Sequence, residues 1–131
     1  MKLKKQYTVK GIVAYENKYL LLRKENFTGG DYDTPGGRKF FDDEPDEVTL
    51  KREIKEETGL DIEIAKFLCG WDLKLKDQGI HLIGKTYLCR TSLDLVTLSS
   101  EHYSFVWVQY DHIKKFNLPK WLKISFKKIY H

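Results

Sequence analysis

The chain has 131 residues, of which 41% are hydrophobic, and this suits one globular core spanning residues 1–131 as a single domain. No apolar run approaches the ~20 residues of a membrane span. Met1-Lys2-Leu3-Lys4-Lys5 leads into polar residues with no apolar export segment, so the expected setting is soluble and cytoplasmic, without a membrane partner. The net charge is +4, and Cys69 and Cys89 stand neither in a CxxC pair nor near histidines at zinc spacing, which argues against a zinc site and for free thiols in a reducing compartment.

From the N-terminus, Tyr7 to Tyr15 and Tyr19 to Arg23 are rich in β-branched and aromatic residues and predict two strands, with Glu16-Asn17-Lys18 between them as a hairpin turn. Arg23 and Lys24 end the second strand as cations that could meet substrate phosphates, although solvated strand-end cations are the commoner outcome. Gly29 to Asp33 predicts a polar, glycine-rich loop. Pro35-Gly36-Gly37 predicts a tight turn whose paired glycines let the backbone approach a ligand. Tyr32, Phe40 and Phe41 flank this region, where they either stack on a base or pack the loop. Asp42, Asp43, Glu44, Asp46 and Glu47 crowd a helix start, where the macrodipole favours negative charge, and Pro45 suits the first helical turn. Thr58-Gly59-Leu60 marks the helix stop, with Gly59 in the left-handed position beyond the last turn.

Strands are expected at Asp61 to Leu68, Trp71 to Leu75 and His81 to Arg90, the last two separated by Lys76-Asp77-Gln78-Gly79, and a further one at Phe105-Val106-Trp107-Val108. Leu118, Leu122, Phe126 and Ile129 recur at three- and four-residue steps and predict a C-terminal amphipathic helix. Trp71, Trp107 and Trp121 read as core residues, and none of His81, His102, His112 and His131 has a partner at ligand spacing. Strands that outnumber irregularly interspersed helices predict an α/β sandwich with a mixed sheet between helices.

The chemistry concentrates in the predicted helix. At about 100° per residue, Glu56 lies about 60° to one side of Glu53 and Glu57 about 40° to the other, so three carboxylates share a face. Like charges at these spacings each cost roughly 0.2–0.5 kcal/mol of helix stability. A hard cation such as Mg²⁺, which takes oxygen ligands and keeps several waters, reverses that sign. Arg52, one turn before Glu56, can orient its carboxylate. The plain alternative is a solvated acidic face balanced by Lys51, Arg52 and Lys55.

The run from Pro35 to Leu60 resembles the Nudix box: Glu44, then seven residues, then Arg52, Glu53, Ile54, Glu56, Glu57, Gly59 and Leu60 fill the fixed positions. It departs upstream, where six residues instead of five separate Gly37 from Glu44, and Asp43 stands where a glycine is common. An extra residue in a loop is easily absorbed, whereas one inside the helix would rotate Arg52 and the acids away from Glu44, so Glu44 sets the alignment. The resemblance implies a Nudix-type α/β/α sandwich with a central mixed β-sheet, and metal-dependent hydrolysis of a pyrophosphate bond in a small nucleotide. It further implies that Glu53, Glu56 and Glu57 bind Mg²⁺ or Mn²⁺, with Glu44 as a further or water-mediated ligand and Arg52 behind them. It implies Glu53 as general base, or Glu101 in the loop before the Phe105 strand, and Arg23, Gly36 and Gly37 are the candidates for the substrate side. Family members are often homodimers, though nothing in the sequence marks an interface.

No proline follows the box where ADP-ribose hydrolases often carry one, and no tyrosine lies between Leu60 and Thr86, where dinucleoside polyphosphate hydrolases often do. A nucleoside triphosphate, damaged forms included, is therefore the expected substrate. An ADP-ribose or nucleotide-sugar pyrophosphatase is the alternative. A second class of reading is a non-catalytic nucleotide- or RNA-binding module, suggested by the net charge of +4 and the terminal lysines. Against it, every box acid is present, and a nucleic-acid partner is not expected.

Overall fold

The computed structural model describes residues 2–23, 31–100, 102 and 104–130. Its elements are β1 (Lys4–Tyr15), β2 (Lys18–Arg23), β3 (Tyr32–Asp33), β4 (Gly36–Arg38), α1 (Asp46–Thr58), β5 (Glu63–Leu75), β6 (Ile80–Arg90), β7 (Ser104–Gln109) and α2 (Lys120–Lys127). Short 3₁₀ helices at Lys76–Gln78 and Tyr110–Lys115 complete the chain.

The strands form one mixed sheet ordered β3-β2-β1-β6-β5, with β4 also beside β1 and β7 beside β2. Among the described residues, parallel pairing is confined to β1 and β6, in register from Lys4 opposite Ile80 to Ala14 opposite Arg90. All other pairs are antiparallel, including the β1–β2 hairpin, which turns with Tyr15 opposite Lys18. Successive strand residues point to opposite faces, and both faces are covered. Leu20 and Leu22 of β2, with Val9 and Val13 of β1, pack on Leu50 and Ile54 of α1. Tyr19 and Leu21, with Ile12, pack in the other layer with Trp121, Leu122 and Phe126 of α2. The result is the α/β/α sandwich with a central mixed sheet that the Nudix resemblance implied.

Two close approaches fix the layers. At Gly11 a Cβ would stand 2.8 Å from Ile54 Cδ1, so α1 rests directly on β1. On the other face Trp71 lies over Gly84, stacks on Trp121 with ring centroids 4.2 Å apart, and donates its Nε1–H to Thr86 Oγ1 at 2.9 Å. Trp121 is buried as expected, whereas Trp71 and Trp107 are half-buried. Cys89 is a buried free thiol that burial pushes up to about 12, and Cys69 is free and partly covered.

The structure departs from the sequence-based elements at several points. The two strands expected at Asp61 to Leu68 and Trp71 to Leu75 are one, β5, because the chain bulges near Ala65 and Leu68 and does not turn at Cys69-Gly70. Gly36–Arg38, expected as turn only, pairs with β1 as strand β4. Pro45 has extended backbone (φ −59°, ψ 138°) and caps α1 from outside, not from within its first turn. Gly59 ends α1 with φ 76°, as expected, and its N–H bonds Lys55 O at 2.9 Å. Leu118 and Ile129 are buried in the α2 layer but lie beyond the helix ends. The expectation for Gly29 to Asp33 falls partly outside the described residues. Among the described residues, no helix is long and apolar enough to cross a membrane.

Candidate active site

The site forms where β4, the loop after it and α1 meet. Helix α1 is anchored at its first residue: Asp46 pairs with Lys39 at 2.5 Å and Lys85 at 3.4 Å and accepts the Tyr87 hydroxyl hydrogen bond. Burial works to raise the Asp46 carboxyl, but the hydrogen bonds from Lys39 and Tyr87 and the charges of Lys39 and Lys85 hold it below the usual range.

Glu44, just before the helix, accepts a hydrogen bond from Thr49 Oγ1, and Arg52 Nη1 lies 3.0 Å from each of its oxygens. The Thr49 hydrogen bond, and then those of Arg52, lower the Glu44 carboxyl. The Phe40 ring covers the Arg52 guanidinium, 3.8 Å from its centroid. Arg52 therefore holds Glu44, and not Glu56 as its one-turn spacing suggested. The physical reason is the loop: the chain before Pro45 folds back over α1 and brings the earlier acid within reach.

The three acids of the helix face have different surroundings. Glu56 is exposed, Glu53 half-buried and Glu57 buried. A Cβ on Gly37 would come 2.2 Å from Glu53 Oε1, so this carboxylate occupies the space the glycine leaves open. Burial, a hydrogen bond with Glu56 and the charges of Glu56 and Glu57, opposed by Arg52, push the Glu53 carboxyl up to about 7. Glu57 Oε1 accepts the Gly36 N–H at 3.0 Å, and Oε2 lies 3.4 Å from His102 Nε2. Gly36 has φ 147°, and a Cβ there would stand 2.2 Å from Val9 O, so only glycine fits.

This donor set suits a hard divalent ion. Its ligand atoms are carboxylate oxygens, and the crowding that keeps a proton on Glu53 near neutrality is what a cation would relieve. Among the described residues, no group of three or more Asp, Glu, His or Cys side chains is already arranged to hold a metal ion.

Of the other expected residues, Arg23 is exposed at the end of β2, opposite Tyr32 in β3 and 5.9 Å over its ring. Tyr32 also meets Phe116 edge-on, while Phe40 and Phe41 are exposed. Glu101 and Lys24 lie outside the described residues. Sequence reasoning missed His102, which has no partner at ligand spacing along the chain but meets Glu57 in space. It also missed Thr49, five residues after Glu44, and the link from Tyr87 to Asp46. The Thr49 contact was open to a capping argument, since a hydroxyl in the first helical turn can reach back to a preceding carboxylate. The other two depend on tertiary structure.

The family profile described as NUDIX domain matches residues 4–129. The chain belongs to the NUDIX domain family and is a Nudix hydrolase, in a class that cleaves pyrophosphate bonds in nucleoside diphosphate derivatives. No curated protein matches the sequence significantly. Among solved structures, the chain is similar to a MutT protein from Methanosarcina mazei Go1, with TM-score 0.80 and 24% identity over 97% of this chain and 94% of that one. A MutT NUDIX hydrolase from Burkholderia pseudomallei superposes with TM-score 0.77 at 22% identity, covering 96% and 98%. An ADP-ribose pyrophosphatase from Streptococcus suis gives 0.65 at 20% identity, covering 93% and 90%. At these identities the likeness is one of fold.

Proposed function

We propose that this protein hydrolyses a pyrophosphate bond of a nucleoside triphosphate, damaged forms included, with Mg²⁺ or Mn²⁺ held by Glu53, Glu56 and Glu57. The observation that carries the reading is the junction of turn and helix: Gly36 donates to Glu57, and Gly37 leaves room for Glu53. Such an ion, when bound, screens the substrate's phosphate charges and acidifies the attacking water.

Glu53 is the candidate general base within the helix, and Gly37 leaves room for its carboxylate. Glu101 is the second candidate for that role. Glu44 acts with Arg52 as a clamp, with Arg52 Nη1 at 3.0 Å from each of its oxygens, and serves as a further or water-mediated ligand. Arg23, Gly36 and Gly37 face the substrate in this reading. The triphosphate assignment is supported by the missing proline and tyrosine markers after the box.

The test is phosphate release from a panel of nucleoside triphosphates, oxidised triphosphates, ADP-ribose, nucleotide sugars and dinucleoside polyphosphates, with Mg²⁺ or Mn²⁺ and with EDTA. Metal-dependent turnover of a triphosphate is expected. Turnover confined to ADP-ribose or a nucleotide sugar would reassign the substrate. Salt-sensitive RNA retention without any turnover would replace the enzyme by a binding module.

A further inference from the structure

We infer that His102 is a positioning residue for the Glu57 carboxylate, holding it ready for the metal ion and fastening the loop between β6 and β7 to helix α1. The inference rests on the metal-dependent reading above.

His102 is buried, with its side chain 2% exposed, and its Nε2 stands 3.4 Å from Glu57 Oε2 on a side chain only 9% exposed. Burying an imidazole against a carboxylate is costly unless the two groups satisfy each other. The contact needs only an Nε2–H facing the oxygen, whatever charge the ring carries. Catalytic contacts of this length are common before ligands bind and shorten in the complex.

Glu57 is thereby gripped from two sides by segments remote in sequence. Its Oε1 takes the Gly36 N–H from β4, and its Oε2 faces His102 from the β6–β7 loop. The loop is tied to the last turn of α1 by backbone bonds as well, from Thr97 N to Thr58 O at 2.9 Å and from Ser99 N to Glu57 O at 3.1 Å. His102 N in turn reaches Ser99 O at 3.4 Å, so the side chain arrives on a stretch of chain already docked. Glu56, on the same helix face, is exposed.

Fixing one carboxylate beforehand lowers the ordering entropy that metal binding must otherwise overcome. Partners of this kind typically change metal affinity or activity 10–100-fold when removed. A residue that only filled space would not distinguish Gln from Asn, whereas one that presents an N–H to Glu57 is rescued by Gln alone.

The experiment is Mn²⁺ titration followed by electron paramagnetic resonance, without nucleotide, on wild type, His102→Gln, His102→Asn and His102→Ala, each checked by circular dichroism. Gln carries an N–H at about the reach of Nε2, whereas the shorter Asn does not. The expected result is wild-type-like affinity for His102→Gln and about 10–100-fold weaker binding for His102→Asn and His102→Ala. At saturating metal, the nucleotide KM should stay near wild type. Equal affinity in wild type and the folded Asn or Ala variants would overturn the inference and leave the metal site standing. If His102→Ala fails to fold, the Gln and Asn pair decides by the same criterion. A wild type that binds no Mn²⁺ would overturn the metal reading itself, and this inference with it.

Discussion

Glu53 and Glu44 are both box carboxylates, yet their surroundings push them in opposite directions, and this difference sets what each can do. Glu44 is lowered by Thr49 and Arg52 and stays ionised, whereas Glu53 is raised to about 7 by burial and by its acidic neighbours. In metal-free protein the folded state therefore binds the Glu53 proton more tightly than the unfolded chain, whose carboxyl keeps the ordinary 4.5. Stability from this group is highest below that ordinary value and falls as pH rises towards about 7, after which the penalty is complete. With EDTA present, melting of wild type and Glu53→Gln between about pH 5 and 8 should show wild type losing ground to the variant as pH rises. Parallel curves would contradict the assignment. At Gly37, an added Cβ collides with the far end of the Glu53 side chain, which can swing aside. Gly37→Ala is thus expected to fold with little loss of stability but to lose about a hundredfold in kcat, the usual consequence of a displacement near 1 Å. An unchanged kcat would show that the Glu53 position is not used. The helical spacing of Glu53, Glu56 and Glu57 made their shared face legible in sequence. Which acid Arg52 would hold was not, because that depends on how the preceding loop folds back.

Among the described residues, none gives helix α1 a side-chain hydrogen bond at its cap, and Asp46 ties its first turn to the loop and to β6. Tyr87→Phe removes one of those ties while Lys39 and Lys85 remain. The expected cost is about 1 kcal/mol in urea unfolding, typical of a partly buried hydrogen bond. No change would mean that the lysines alone secure the helix start. Boundaries at this scale were only partly legible. Gly59 announced the end of α1 because a left-handed residue there favours glycine, and the structure agrees. Cys69-Gly70 suggested a break that β5 does not make, since a bulge absorbs the irregularity without interrupting pairing with β6. The apolar period of Leu118, Leu122, Phe126 and Ile129 showed which residues are buried but overstated the helix, as its flanks pack in the same layer without helical backbone.

Across the whole molecule, the sheet separates two layers with different tasks. Ile54 and Leu50 seat the acidic helix on β1, while Leu122 and Phe126 close the opposite face. Ile54→Ala and Leu122→Ala should each cost about 2–5 kcal/mol by denaturant unfolding. Only Ile54→Ala should also weaken Mn²⁺ binding, because Ile54 follows Glu53 and packs where Gly11 lets α1 approach. Equal loss of binding in both would mean that the site senses global stability alone. The sandwich was legible from the number and order of strands, and the acidic helix from the spacing of its carboxylates. The tie from His102 to Glu57 was not, because residues 45 positions apart in the chain meet only after the β6–β7 loop has docked. The central claim is that the acids of α1 form a metal-dependent catalytic centre. Its most direct test is metal-dependent turnover of the best panel substrate by Glu56→Gln beside wild type, since Glu56 is exposed and its replacement leaves the core intact. A loss of at least about a hundredfold in a normally folded variant is expected, as large as the upper end for residues that merely support a ligand. Full turnover by Glu56→Gln would contradict the account.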